Sequence, residues 1–195
     1  MDPFSESLKL LVNVFFNLVM LAILLRFLLQ LVRADFYNPI SQAISKVTNP
    51  LLVPLRRVIP GYGGVDVAAL VLLVLAEMLA TVLLGLLHGF GLVPVLYILM
   101  WAPLGIVSLL LSFYLFAIII IIVLSWVAPG NPSPVIYLLH QLTEPVLAPF
   151  RKIIPPLGGL DLSPMAATLA IMIARNFVEA AAVGVGLHPA LVVGF

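Results

Sequence analysis

Residues 48–66, TNPLLVPLRRVIPGYGGVD, occur a second time at residues 143–161 as TEPVLAPFRKIIPPLGGLD. At a constant offset of about 95 residues, both copies keep a threonine, three prolines, an arginine, two glycines and an aspartate: Thr48, Pro50, Pro54, Arg56, Pro60, Gly63, Gly64 and Asp66 match Thr143, Pro145, Pro149, Arg151, Pro155, Gly158, Gly159 and Asp161. Long apolar runs flank both copies. The repeating unit is therefore a hydrophobic segment, a basic loop rich in proline and glycine, and a second hydrophobic segment.

The composition indicates an integral membrane protein. Hydrophobic residues make up 64% of the chain and charged residues 9%, whereas about a quarter of the residues in a soluble domain are charged. A net charge of +1 gives no basic face for nucleic acid. The absence of cysteine excludes disulfides, thiolate metal sites and iron–sulfur clusters.

The first apolar run, residues 8–32, is long enough to cross a hydrocarbon core of about 30 Å. It follows acidic Asp2 and Glu6 instead of the basic start of a signal peptide, so it is expected to stay as a spanning helix. Arg26, Gln30 and Arg33 share a face near its end, where long side chains reach the headgroups.

The first loop, residues 33–66, predicts two short helices on the membrane surface. Asn38 and Asn49 each precede a proline, and this pairing is typical of an N-cap followed by the first helical residue. The pairs predict helices over residues 40–48 and 51–58. Four basic side chains of this loop are expected to contact anionic lipid headgroups or a partner protein: Arg33, Lys46, Arg56 and Arg57.

A turn and a cap should end this loop and open the second span. Gly63 and Gly64 break the surface helix, and Asp66 is placed to accept backbone N–H groups at the start of the span over residues 67–87. Glu77 falls near the middle of that span. Because an ionised carboxylate is costly there, Glu77 is expected to be protonated, paired or open to a water-filled space.

Residues 92–127 are too many for one ordinary span, about 36 residues or roughly 54 Å of helix. Pro94, Trp101, Pro103 and Gly105 divide them. We predict an interfacial or re-entrant piece over residues 93–101 and a third span over residues 104–127. Two short crossings are the alternative.

The second loop, residues 128–162, repeats the first. It predicts surface helices over residues 135–142 and 146–153, with Arg151 and Lys152 toward headgroups or a partner. A turn and two caps then open the fourth span over residues 163–183: Gly158, Gly159, Asp161 and Ser163. That span carries Arg175 near its middle, which can pair with Glu179 one turn on or reach Glu77 across the bundle.

Most of the cations fall in the two repeated loops, which predicts that both loops face the cytoplasm. The predicted fold is an all-α membrane protein with four transmembrane helices, arranged as two tandem parallel helix-hairpin repeats over residues 1–90 and 91–195, each with a basic interfacial helical loop. A fifth crossing would place the second loop on the other side of the membrane and break the charge rule.

These motifs resemble the YggT family, also called YlmG in photosynthetic lineages. The resemblance rests on RADFYNP at residues 33–39 and PLRRVIPGYGGVD at residues 54–66, and on LSW at residues 124–126 and PFRKIIPPLGGLDLSP at residues 149–164. It covers the chain from Arg26 to about Phe177, in the two-copy form of proteobacterial members. Lys152 replaces the second arginine of the usual pair, which keeps the charge but loses bidentate phosphate binding.

The resemblance implies a location in the bacterial inner membrane and a role in membrane-protein biogenesis, cell or plastid division, haem attachment in plastids, or osmotic tolerance with potassium uptake. Haem attachment does not transfer by a motif, because the chain has no cysteine and its histidines are scattered at His88, His140 and His188. No cofactor or metal is expected.

Three functions follow as hypotheses. The first is a non-enzymatic scaffold or assembly factor whose loops dock on anionic headgroups and on a protein partner or a second copy. The second is a component of potassium or other cation uptake under osmotic stress, suggested by Glu77 and Arg175. An enzyme is the third, and the sequence offers no nucleophile and base for it.

Overall fold

The computed structural model describes residues 3–127, 130, 132–154 and 161–195. Within them the chain forms six α-helices, a short 3₁₀ helix and no strand: α1 (Pro3–Leu31), α2 (Pro39–Val58), α3 (Val67–Leu87), α4 (Val95–Val127), α5 (Pro134–Ile153), α6 (Ser163–Gly184) and the 3₁₀ helix Pro189–Leu191. Four of the α-helices are long and apolar enough to cross a membrane, namely α1, α3, α4 and α6. The predicted fold class is confirmed.

The four long helices form two hairpins joined side by side. Helix α1 packs against α3, α4 packs against α6, and contacts between α3 and α4 join the hairpins. Met20, Ile23 and Leu73 are completely or almost completely buried between the helices. Large apolar side chains such as Phe116 lie outward, as a surface that faces lipid requires.

Both repeated loops lie at the same end of the bundle and contact each other. Helix α2 packs against α1 and α3, α5 packs against α4 and α6, and α2 contacts α5. The Asn38 side-chain amide donates a hydrogen bond of 2.7 Å to the backbone oxygen of Pro134. The hairpins are therefore parallel, and the compartment that this end faces stays a prediction. We call residues 33–66 the first elbow and residues 128–162 the second elbow.

Each elbow contains one long helix, so the predicted division into two short helices is wrong. Helix α2 continues through Pro50 and Pro54, and α5 continues through Pro145 and Pro149. A proline removes one backbone hydrogen bond and crowds the carbonyl four residues back. All of these prolines lie on the exposed side of their helix, where water or headgroups can satisfy the freed carbonyls. Asn49 is consequently inside α2 and not at a cap.

Helix α4 is also continuous, so no helix break separates residues 93–101 from residues 104–127, and the two-crossing alternative is wrong. An interfacial position of residues 93–101 stays a prediction. Pro103 lies inside α4 with an exposed side chain. The first turns of α4 are held from outside: the indole N–H of Trp101 donates to the backbone oxygen of Val185, at 3.2 Å. This support comes from a segment that is 84 residues away.

Candidate functional site

The first elbow is closed by an ion pair between the repeated arginine and the repeated aspartate. Arg56 at the end of α2 bonds to the Asp66 carboxylate, which is 3% exposed. Asp66 also caps α3, since its Oδ1 accepts the backbone N–H of Ala69 at 3.2 Å. Arg56 donates a further bond of 3.2 Å to Gln30. Arg56, which the sequence assigns to headgroups or a partner, is thus engaged in an intramolecular clasp.

The second elbow has the same clasp in a more open form. Arg151 lies 3.3 Å from the carboxylate of Asp161, whose side chain is 39% exposed, and 2.8 Å from that of Glu144. Hydrogen bonding to Glu144 raises the pKa of Arg151 despite its partial burial. Partial burial tends to raise the pKa of Asp161, but hydrogen bonds from Ser163 and Arg151 outweigh it and lower the pKa.

The predicted cap at Asn38 and the predicted turn at Gly63 and Gly64 are present in the first elbow. Asn38 caps α2 by accepting the backbone N–H of Ile40 at 2.9 Å. Gly63 and Gly64 have φ angles of 61° and 85°, the left-handed conformation that glycine adopts without cost. Gly158 and Gly159 lie outside the described residues.

The predicted cap at Ser163 is wrong. Ser163 is the first residue of α6, and the N-cap position belongs to Leu162, which makes no side-chain cap bond. Asp161 fills the role from one residue further back: its Oδ1 accepts the backbone N–H of Ser163 at 2.9 Å.

The other elbow cations lie on the surface. The side chains of Lys46, Arg57 and Lys152 are exposed. Exposed apolar residues accompany them, including Val47 at 68% and Ile153 at 76%. Each elbow therefore presents cations next to apolar side chains, a combination that suits the boundary between headgroups and acyl chains.

Glu77 lies in the packed interior of the bundle, and we call its immediate surroundings, including Thr81 and Gly105, the chamber. Its side chain is fully buried, and one carboxylate oxygen accepts the backbone N–H of Val193 at 2.8 Å. Its other oxygen has no hydrogen-bond partner within the described part of the chain, and neither has the buried hydroxyl of Thr81, one helical turn away. The expected protonation of Glu77, or its pairing with a charge, stays a prediction.

The chamber is closed by the segment after α6, residues 187–195. Val192 and Val193 are fully buried, and the Ser108 hydroxyl donates to the backbone oxygen of Gly194 at 2.5 Å. At Gly105 an added Cβ would lie 2.9 Å from the backbone oxygen of Val193. The sequence analysis missed this segment, although the glycine and serine three residues apart in apolar α4 could have indicated a close backbone contact.

Arg175 lies apart from Glu77. Its guanidinium is 3.9 Å from the carboxylate of Glu179, one turn further along α6, and both side chains are partly exposed. The contact across the bundle, which the sequence left open, is not made.

A cleft of about 800 Å³ lies between the two elbows, beside their contact at Asn38 and Pro134. Ile121 and Leu124 of α4 contribute apolar side chains to it, and Asp35, Tyr37 and His140 contribute polar ones. The described residues contain no cluster of three or more His, Asp or Glu side chains that could hold a metal ion.

Comparison with known proteins gives a consistent match. The family model CCB3/YggT matches the chain twice, at residues 5–87 and 100–182, in agreement with the tandem repeat. An uncharacterized protein of Pseudomonas aeruginosa is 51% identical over 156 residues, which are 80% of this chain and 79% of that one. The protein YggT of Escherichia coli strain K12 is 36% identical over 169 residues, 86% of this chain and 87% of that one.

A more distant relative is a plant protein. The chloroplast protein CCB3 of Arabidopsis thaliana, whose name refers to cofactor assembly of complex C, is 41% identical over 63 residues, 31% of this chain and 36% of its own length. No solved structure matches the chain.

Proposed function

We propose, from the premise that this chain belongs to the CCB3/YggT family, that it is a non-enzymatic assembly factor or scaffold for other membrane proteins. Its proposed place is the bacterial inner membrane, with both elbows in the cytoplasm, because the loop cations indicate that side. The name of the plant relative supports an assembly role.

The observation that carries the proposal is the pair of elbows in contact at one end of the bundle. Each has an exposed cation beside exposed apolar side chains, Arg57 with Val58 in the first and Lys152 with Ile153 in the second. Two such helices side by side offer a surface to a spanning segment or an acidic loop of another protein at the headgroup level. The clasps hold both helices in fixed positions.

Cysteine chemistry can test side and partner together, because the natural chain contains no cysteine. We expect Arg57→Cys and Lys152→Cys to react with a membrane-impermeant photo-crosslinker in inverted inner-membrane vesicles and not in intact cells. After illumination, both should be joined to another membrane protein. The complex that contains this captured protein should assemble poorly in a strain that lacks the present chain.

Phe177→Cys is the control, because Phe177 is 72% exposed on the spanning helix α6, in the half of that helix remote from the second elbow. A lipid-facing thiol is out of reach of the impermeant reagent, so this variant should capture no protein. Labelling of residues 57 and 152 from opposite sides of the membrane would contradict the proposal. So would a yield of crosslinked protein no greater than that of the control, together with normal assembly of membrane complexes in the deletion strain.

A second candidate function, cation uptake under osmotic stress, is favoured by the chamber at Glu77. One oxygen of Glu77 and the hydroxyl of Thr81 are buried without a partner among the described residues, and oxygen ligands of this type suit a desolvated cation. Potassium flux into proteoliposomes should then fall about tenfold with Glu77→Gln. A charged ligand that contributes about 1.4 kcal/mol to the free energy of cation binding accounts for that factor. Equal flux with the variant, the wild type and empty liposomes would end this candidate.

A further inference from the structure

A second, smaller pocket lies within the first elbow, between the end of α1 and the start of α2. Its volume is about 260 Å³, and the residues that line it include Arg26, Arg33, Gln30 and Ser41. The clasp between Arg56 and Asp66 uses none of these residues except Gln30. The pocket is therefore available for a ligand while the elbow stays closed.

Two buried donors at this pocket lack an acceptor in the part of the chain that the structure describes. Ser41 is 3% exposed, and its hydroxyl has no hydrogen-bond partner there. The Nε of Arg26 is also buried without a partner among these residues, although Nη1 of the same side chain donates to Ser45 at 2.6 Å. Buried polar atoms are nearly always paired, so a missing acceptor at this point indicates a bound group.

Arg33 reaches this pocket from a strained backbone position. Helix α1 ends with hydrogen bonds from Ala34 N to Leu29 O at 2.9 Å and from Arg33 N to Gln30 O at 3.1 Å, the pattern of a Schellman motif. The left-handed residue of that motif is usually glycine, but here it is Arg33 with φ 51°. Strain of this kind persists where the side chain has a task.

The chemistry of the pocket selects an anion. Among the described residues that line it, two are arginines and none is acidic. The amide oxygen of Gln30 already accepts a bond from Arg56, which leaves its NH₂ group as a donor. Ser41 lies in the first turn of α2, where the helix dipole favours negative charge. Arginine and hydroxyl donors of this kind bind a phosphate group.

The neighbouring surface selects a lipid as the source of that phosphate. Leu29 and Phe36 also line the pocket, and α1 is one of the helices suited to cross the membrane. The second repeat lacks these ligands: at the offset of 95 that relates α2 to α5 and the two matches of the family model, Arg26, Arg33 and Ser41 correspond to Ile121, Ala128 and Ile136. The duplicated fold therefore does not require these residues, which argues that they serve a ligand.

We propose that this pocket binds the phosphate group of one anionic phospholipid, held by Arg26, Arg33 and Ser41. This deepens the proposed docking of the elbows on headgroups and rests on it. The occupied pocket fixes the first elbow at the headgroup level, whereas the second repeat carries apolar residues at the corresponding positions.

Native mass spectrometry of the detergent-solubilised protein tests the site, with phosphatidylglycerol as the probe and phosphatidylcholine for comparison. The wild type should retain one phosphatidylglycerol in preference to phosphatidylcholine. Arg26→Gln should weaken this binding about tenfold or more, since one charged hydrogen bond is lost, and Ser41→Ala should weaken it severalfold. Arg175→Gln removes the same charge from α6, at a position outside both this pocket and the elbows, and should leave binding unchanged.

Arg33→Gly separates binding from folding. It relieves the left-handed strain, so the thermal midpoint should rise while phosphatidylglycerol binding falls severalfold. Equal losses in Arg26→Gln and Arg175→Gln would reduce the site to the general charge of the protein and overturn the proposal, as would unchanged binding in Arg33→Gly and Ser41→Ala. If inorganic phosphate raises the thermal midpoint but the protein retains no phosphatidylglycerol, the ligand is a free anion and the lipid assignment is overturned. Retained lipid with no captured partner would leave this site standing without the assembly role.

Discussion

Replacing Gly105 with alanine is expected to expel residues 187–195 from the chamber at Glu77. The new Cβ would lie 2.6 Å from Cγ1 of Val192, 2.9 Å from the backbone oxygen of Val193 and 3.1 Å from Cδ of Glu77. A backbone atom at this distance cannot rotate away as a side chain can. We expect a loss of about 1–3 kcal/mol in the free energy of unfolding, the usual effect of overpacking. The backbone N–H of Val193 should lose its protection from hydrogen exchange.

Gly184→Ala is the matched control, because Gly184 also lies in a spanning helix and an added Cβ there meets no atom within 4 Å. Alanine is favoured over glycine in a helix by about 1 kcal/mol, so this variant should be as stable as the wild type or more so. Hydrogen exchange measures the protection of the Val193 N–H, and SDS titration in mixed micelles measures the free energy of unfolding. If Gly105→Ala is stabilised in the same way and Val193 stays protected, the close backbone contact is wrong.

Removing the aspartate of each clasp should have unequal effects on the two elbows. Asp66→Ala takes away a buried partner of Arg56 and the cap on Ala69. A lost cap costs about 1 kcal/mol and a broken buried ion pair more. Because the Arg56 side chain is 30% exposed, the electrostatic part is reduced by solvent, and we expect a total loss of about 2–3 kcal/mol.

Asp161→Ala is the equivalent change in the second elbow and should cost only about 1 kcal/mol. Asp161 is 39% exposed, and Arg151 keeps its bond to Glu144. SDS titration of the two variants under the same conditions gives the difference directly. Equal losses would mean that burial does not decide the strength of the clasp.

The sequence predicted the repeats, the number of spanning helices and the bounds of α3, because these depend on long apolar runs and local start signals. The elbows were divided wrongly because a proline removes one backbone hydrogen bond and crowds the preceding turn but need not end a helix that packing holds in place. Pro50 and Pro145 lie on the exposed faces of α2 and α5, and tertiary packing on the opposite face continues the helix.

The contacts of the candidate site were harder to predict. The bond between Glu77 and Val193 joins residues 116 apart, and no local pattern indicates such a contact in an apolar chain. The clasps did leave a signal, since an arginine and an aspartate recur ten residues apart in both copies of the repeated stretch: Arg56 with Asp66, and Arg151 with Asp161.

The uninterrupted length of α4 links the chamber to the thickness of the bilayer. Its 33 residues extend roughly 50 Å, whereas the hydrocarbon core is about 30 Å thick. The helix must therefore tilt or project, and the amount depends on the lipid around it. Trp101 and Gly105, on which residues 185–194 rest, lie toward one end of this helix. We therefore expect acyl-chain length to change how far the end of α4 that carries Trp101 and Gly105 projects from the hydrocarbon core.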